Sequence, residues 1–177
     1  MFNEIPLSES AIQIIDGDRG KNYPKQADFA ESGYCLFLSA KNITKQGFNI
    51  SETQWISAER DSLLRKGKLK RYDLVLTTRG TVGNVGWFND SIAHNHVRIN
   101  SGMVILRTDP SMINAQYLYQ VLKSPYFASK IESMVSGSAQ PQLPIRDLQQ
   151  IEIPNPDLSD QKAIAHILGT LDDKIEL

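Results

Sequence analysis

Short runs of β-branched and aromatic residues, each closed by Gly, Asn, Asp or Ser, fill the first two-thirds of the chain. They fall at residues 12–15, 34–38, 74–78, 85–88, 97–99 and 103–106, and each suits a strand. The polar stretches at 16–25 and 89–95 that separate some of them are long for hairpin turns. Ordered loops of that length often carry function. A chain punctuated this way must build a β-rich body with loops at its strand ends.

The pattern changes after residue 113. Asn114 can cap a helix whose apolar positions are Leu118, Val121 and Leu122. Ser124-Pro125 breaks that helix and starts a second, with Phe127, Ile131, Met134 and Val135 inward. Residues 137–148, GSAQPQLPIRDL, then read as a stiff strap. The residues before its two prolines, Gln140 and Leu143, are held out of the helical region. Pro144 opens a short helix, and residues 151–153 make a strand stopped by Pro154 and Pro156. A last helix takes Ser159 as its N-cap, with Asp160 in its first turn. Its apolar residues Ile164, Leu168, Leu171 and Ile175 follow a heptad spacing, the seam of a coiled coil. No capping residue precedes Leu177, so the sequence reads as cut inside a longer helix. The fold class is α+β. A β-rich, twisted, partly barrel-like body with short helices occupies 1–157, and a spacer helix begins over 158–177.

Charge narrows the function. With 19 Lys and Arg against 20 Asp and Glu, the formal net charge is −1, unlike a protein that simply coats nucleic acid. The cations are clustered, however: Arg60, Arg65, Lys66, Lys68, Lys70 and Arg71 stand against Asp61 alone. The C-terminal third is acidic, through Asp157, Asp160, Asp172, Asp173 and Glu176. The opposed ends suggest one face for an anionic partner and another for something else. No apolar run is long enough to span a bilayer, and no secretory signal opens the chain. The lone Cys35 sits in an apolar run and reads as a buried, reduced thiol, consistent with a cytoplasmic address.

No catalytic pattern emerges. There is no Gly-x-Ser-x-Gly elbow, no Walker loop, and no glycine loop or adenine-binding motif of a methyltransferase. His94 and His96 share a face if their stretch is a strand, but no third metal ligand follows at regular spacing. The run RGTVGNVG at 79–86 follows no nucleotide-binding spacing and reads as a tight β-turn, glycine supplying positive φ or close approach. Around that turn Thr77, Thr78, Arg79, Thr81 and Asn84 gather hydroxyls, an amide and a guanidinium. Such groups donate to phosphate oxygens, and Arg can read guanine bidentately. Asn95, His96 and Arg98, Lys41 and Asn42, and Arg19 and Lys21 offer the same chemistry from other loops. Lys68, Lys70 and Arg71 suit backbone phosphate. Each alone is an ordinary polar residue; their recurrence at strand ends makes them a set.

The C-terminal motif string carries a family resemblance. Gly137-Ser138 with Leu143 is followed by Ile151-x-Ile153-Pro154, Leu158-Ser159 with Gln161, Ile164-Ala165, and Leu171-Asp172 with Ile175. This order resembles the end of a target-recognition domain from the specificity subunit of type I restriction–modification systems, the HsdS family. Upstream, DLVLTTRGTVGNVGWF at 73–88, IDGDRGKNYPK at 15–25 and FLSAKNITKQGF at 37–48 are similar to earlier segments of the same family. Residues 50–70 carry nothing over.

The resemblance implies a non-catalytic domain that reads one half of a split, asymmetric target in double-stranded DNA. Two such domains, in one parent chain or in a self-paired half-subunit, would be held apart by helices forming a coiled coil. Those helices would dock methyltransferase subunits, here through Ile164, Leu168, Leu171 and Ile175, and a restriction subunit would join for cleavage. S-adenosylmethionine, ATP and magnesium would belong to those partners, leaving this chain without cofactor or metal. Ser138 and Gln140 of the strap would touch DNA, if at all, independently of sequence, since a segment shared by readers of different targets is a poor place to encode one. Two alternatives remain open: a recognition domain from a single-chain type II restriction–methyltransferase, and an assembly adapter that uses the heptad helix and reads no bases.

Overall fold

The computed structural model describes residues 2–135 and 139–175, apart from the side chains of Asp173 and Ile175. Gly137, Ser138 and the last seam position, Ile175, therefore lie outside the described residues or side chains. Strands β1 (Glu4–Pro6), β2 (Ile12–Asp16), β3 (Cys35–Leu38), β4 (Ile43–Thr44), β5 (Gly47–Phe48) and β6 (Trp55–Ile56) precede helix α1 (Ala58–Leu63). Strands β7 (Leu74–Thr77), β8 (Val85–Trp87), β9 (Val97–Ile99) and β10 (Met103–Thr108) follow. The chain then runs through α2 (Ala115–Lys123), α3 (Pro125–Met134), α4 (Ile145–Leu148), β11 (Glu152–Pro154) and α5 (Leu158–Ile175). This is the α+β organisation that the sequence predicts.

An antiparallel sheet in the order β2-β10-β7-β8 forms the centre. A second sheet, β6-β3-β9, pairs β3 with β9 in parallel. The central sheet is covered on both faces, which explains the unbroken apolar runs LVL and MVIL. Leu74, Leu76, Val104 and Leu106 pack with Leu118, Leu122, Phe127 and Ile131 of α2 and α3. The alternate residues Val75, Met103 and Ile105 pack with Leu36, Leu38, Val97 and Ile99 of the second sheet. Burying one such side chain contributes about 1.5–3 kcal/mol. At the chain's margins β1 pairs antiparallel with β11, tying the two ends of the body together.

Register gives the strands two distinct ends. Asp16 faces Val104, and Met103 faces Thr77. Ile12 faces Thr108 at the other end, where Leu74 faces Trp87. The β9–β10 turn brings the second sheet into line, with Asn100 N–H donating to Leu38 O at 3.0 Å. Loops after β2, β3 and β7 and the turn before β10 thus gather at one end.

The helix starts at Asn114 and Ser124-Pro125 are as the sequence predicts: each cap oxygen accepts a backbone N–H, from Tyr117 and Phe127. The last helix starts earlier than expected. Asp157, not Ser159, caps α5, accepting from Asp160 N–H at 2.9 Å. A carboxylate there also meets the positive end of the helix dipole, which favours it over Ser159. Among the described side chains of α5, Gln161 and Ala165 are buried; Leu168 and Leu171 of the seam are 38% and 49% exposed. Gln161 staples α5 to the loop before α2: its Oε1 accepts from Asn114 N–H (2.8 Å), and its Nε2 donates to Met112 O and Pro156 O. The two-residue strands β4, β5 and β6 and the short α1 escape the sequence reading, because elements that short display no period.

Candidate nucleic-acid interface

The β7–β8 turn is clamped from two sides. Thr78 and Arg79 N–H both donate to Gly102 O, at 2.9 and 3.2 Å. On the other side the strap runs antiparallel to it: Gly80 N–H donates to Pro141 O (3.0 Å) and Leu143 N–H to Thr78 O (2.9 Å). Leu143 is buried and anchors the strap in the core. Gly80 adopts φ +74°, a conformation costly for other residues, and a Cβ on Gly86 would sit 2.8 Å from the Phe48 ring. Both roles foreseen for the turn glycines, positive φ and close approach, are therefore present.

Arg79 stands directly opposite Gln142 across this pairing, so both side chains emerge on one face. With Asp16 and Arg19 they line an open recess of about 240 Å³, whose apolar part is Leu143, Pro144 and Ile145. Arg19 is fixed by two 3.1 Å bonds to the Asp16 carboxylate and one of 3.0 Å to Ser101 O.

Beside the recess the 16–22 loop meets the segment after α1. The buried Asp18 carboxylate accepts from Gly20 and Arg65 N–H at 2.7 Å and from Lys66 N–H at 3.4 Å. Burial alone would raise its pKa, but these backbone bonds outweigh that and hold it below the ordinary aspartate value. The same segment is held from beneath by Arg98, whose guanidinium donates to Asp61 Oδ1 (2.5 Å), Lys66 O (2.7 Å), Asp61 O (3.0 Å) and Leu64 O (3.1 Å). With its backbone pinned twice, the segment presents the Arg65 and Lys66 side chains to solvent.

The residues singled out in the sequence divide three ways. Lys21, Arg79, Thr81 and Gln140 on loops, and Lys41 in the one-turn 3-10 helix Ala40–Asn42, are exposed at the gathered strand end, and no side-chain hydrogen bond engages them among the described residues. Lys70, Arg71, Asn95 and His96 belong to the opposite end. There Arg71 donates to the carbonyls of Asn89, Ile92 and His94 and lies 4.1 Å over the Phe88 ring. His96 stacks on Tyr34 at 4.1 Å, and Asn95 accepts from Arg71. The third group points inward, and here the structure corrects the reading. Arg98, Asn42, Thr77 and Thr78 are 5% exposed or less. Asn42 bonds Asn49 O and Glu52 O, Thr77 bonds Thr81 O, and Thr78 bonds Gly102 O. Half-buried Asn84 donates to Ile43 O, and Lys68 pairs with Asp61. Their donors brace loops rather than face a partner.

Asp16 and Asp18 are passed over in the sequence reading, and Gln142 is set aside there with the rest of the strap as a structural segment. The acids run against a search for cations, and Gln142 shows its worth only once it pairs with Arg79. His94 packs edge-on to Trp55, and no group of metal-ligating residues occurs among the described residues. Cys35 is fully buried; desolvation first, then the nearby Asp61 charge, push its thiol up to about 12. No helix among the described residues is long and apolar enough to cross a membrane.

Loops that rest on a doubly covered sheet and carry outward-facing cations make this strand end a candidate surface for an anionic partner. Residues 12–177 match the type I restriction modification DNA specificity domain, and the chain belongs to that family. It is 30% identical over 187 residues to the type I restriction enzyme MjaVIII specificity subunit of Methanocaldococcus jannaschii, covering 99% of this chain and 42% of that protein. Several solved structures share the fold, two among them at 20% identity. One, from work on complex assembly and conformational transition of the type I R-M system, has a TM-score of 0.71 at 20% identity, covering 99% of this chain and 39% of that one. The other, the HsdS subunit from Thermoanaerobacter tengcongensis, has a TM-score of 0.68 at 20% identity, covering 99% and 38%. The chain thus spans about two-fifths of the length of these relatives.

Proposed function

We propose that this chain is a target-recognition domain. It reads one half of a bipartite site in double-stranded DNA for an adenine methyltransferase and endonuclease complex, and performs no chemistry itself. The observation that carries this reading is the strand end around Arg79: exposed donors without internal partners, on a backbone fixed by the strap, by Gly102 and by Asp18. A loop backbone already fixed need not be ordered on binding, so less of the free energy of the new bonds is lost to ordering it. Arg79 reaches a base edge, while Lys21, Arg65 and Lys66 meet backbone phosphates. A domain that confines its cations to one end needs no strongly positive total charge, since subunits docked elsewhere share the affinity.

The exposed Leu168 and Leu171 on α5 suit a helical partner, in which methyltransferase subunits or a second recognition domain take part. S-adenosylmethionine, ATP and magnesium then belong to the methyltransferase and restriction subunits. The test is a domain replacement in the parent system, expressed in a methylation-free host. Exchanging residues 1–155 for another recognition domain changes one half of the methylated motif and leaves the other half intact. An unchanged motif refutes the assignment.

A further inference from the structure

The recess beside Arg79 holds more than cations, and its content decides what it accepts. A phosphate site needs donors only. This one has the Asp16 carboxylate in its wall, with the Asp16 side chain 25% exposed and Arg19 fixed against it. An acid facing a phosphate is repulsive, but it accepts well from the exocyclic amino group of cytosine or adenine. Gln142 adds an amide that both donates and accepts, the pattern that matches the N6/N7 edge of adenine. Arg79, directly across from it, supplies the fork that matches guanine O6/N7. The Pro144 and Ile145 side of the recess offers apolar surface of the kind a thymine methyl contacts. The frame of the recess is also fixed in advance. Arg19 is held by Asp16 and Ser101, and the Gln142 backbone lies between two strap hydrogen bonds, from Gly80 and from Leu143.

We propose that this recess is a base-reading subsite, with Asp16 and Gln142 as specificity-determining side chains that take a base-pair edge in the major groove. The inference rests on the DNA-recognition reading above and locates part of the sequence readout within it. It also revises the role of the strap. The strap clamps the β7–β8 turn, and its one residue opposite Arg79 reads bases as well.

The experiment uses the parent complex in the methylation-free host, after its motif has been mapped. Methylation is followed on that motif and on every single-base variant of the half-site that the domain replacement assigns to this chain. Gln142→Ala and Asp16→Asn each relax discrimination at one base pair by about tenfold. Other positions and the salt dependence of binding stay as in the parent. Gln142→Glu keeps the bulk of the side chain and turns preference at the same base pair toward cytosine, whose N4 amino group a carboxylate accepts. Thermal melting of the purified variants, unchanged from the parent, separates these outcomes from misfolding. If Asp16→Asn melts early, the two Gln142 variants decide. A uniform fall at all sites, a shallower salt slope, or no change in discrimination overturns the subsite. If the domain replacement itself fails to move the motif, the broader reading falls first and independently.

Discussion

Arg79 and Arg98 look interchangeable in the sequence. Arg79 follows one β-branched run and Arg98 lies within another, and each belongs to a stretch rich in hydrogen-bonding residues. In the fold they are opposites. Arg79 is exposed with its guanidinium outward, whereas Arg98 is 5% exposed and donates to one carboxylate and three carbonyls. The comparison separates reading from bracing. Arg98 closes the C-terminal end of α1 and fixes residues 64–66, so the buried arginine prepares the surface on which Arg65 and Lys66 work.

The largest effect that sharpens this contrast is on stability. Arg98→Ala leaves the buried Asp61 carboxylate with Lys68 as its remaining ion-pair partner, takes the guanidinium from three carbonyls, and lowers the unfolding free energy by about 3–5 kcal/mol, read from urea denaturation. A loss under about 1 kcal/mol would show that the pair does not brace the fold. The same pair sets an acid sensitivity. Burial by itself would raise the pKa of Asp61, but hydrogen bonds from Lys68 and Arg98 more than offset it and leave the pKa below the ordinary value. A carboxyl lowered in this way contributes stability above about pH 4, lost as pH falls through its folded-state value. Asp61→Asn flattens that part of the pH profile.

A smaller effect breaks or supports the phosphate role of the pinned segment. Arg65→Ala and Lys66→Ala each weaken binding to matched and random duplexes alike and reduce the slope of log K against log salt by about 1. Selective loss on the matched duplex would move these residues into base readout and erase the division of labour.

The sequence made the larger elements legible and left the brace invisible, for definite reasons. The runs around Leu74, Val85 and Met103 announce strands because the central sheet is buried on both faces. Asn114 and Ser124-Pro125 announce helix starts because capping is local chemistry. Ser159 misled because Asp157, two residues earlier, offers a stronger cap that the neighbouring Pro156 obscures. At the site, residue type revealed which side chains could donate, but not which were already bonded. Thr77 and Asn42 are spent on carbonyls within ten residues of themselves, while Arg98 is spent on partners more than thirty residues away. Only the fold brings those partners together. Gln142 is the converse case: an unremarkable strap residue until antiparallel pairing sets it against Arg79.

The most direct measurement is the affinity of Arg79→Ala, in the assembled complex, for a duplex carrying the mapped motif and for a random duplex of equal length at one salt concentration. Binding to the motif falls by about ten- to a hundredfold, while binding to the random duplex falls by much less. Equal losses on both duplexes, or none on either, would contradict the assignment of this strand end to base recognition.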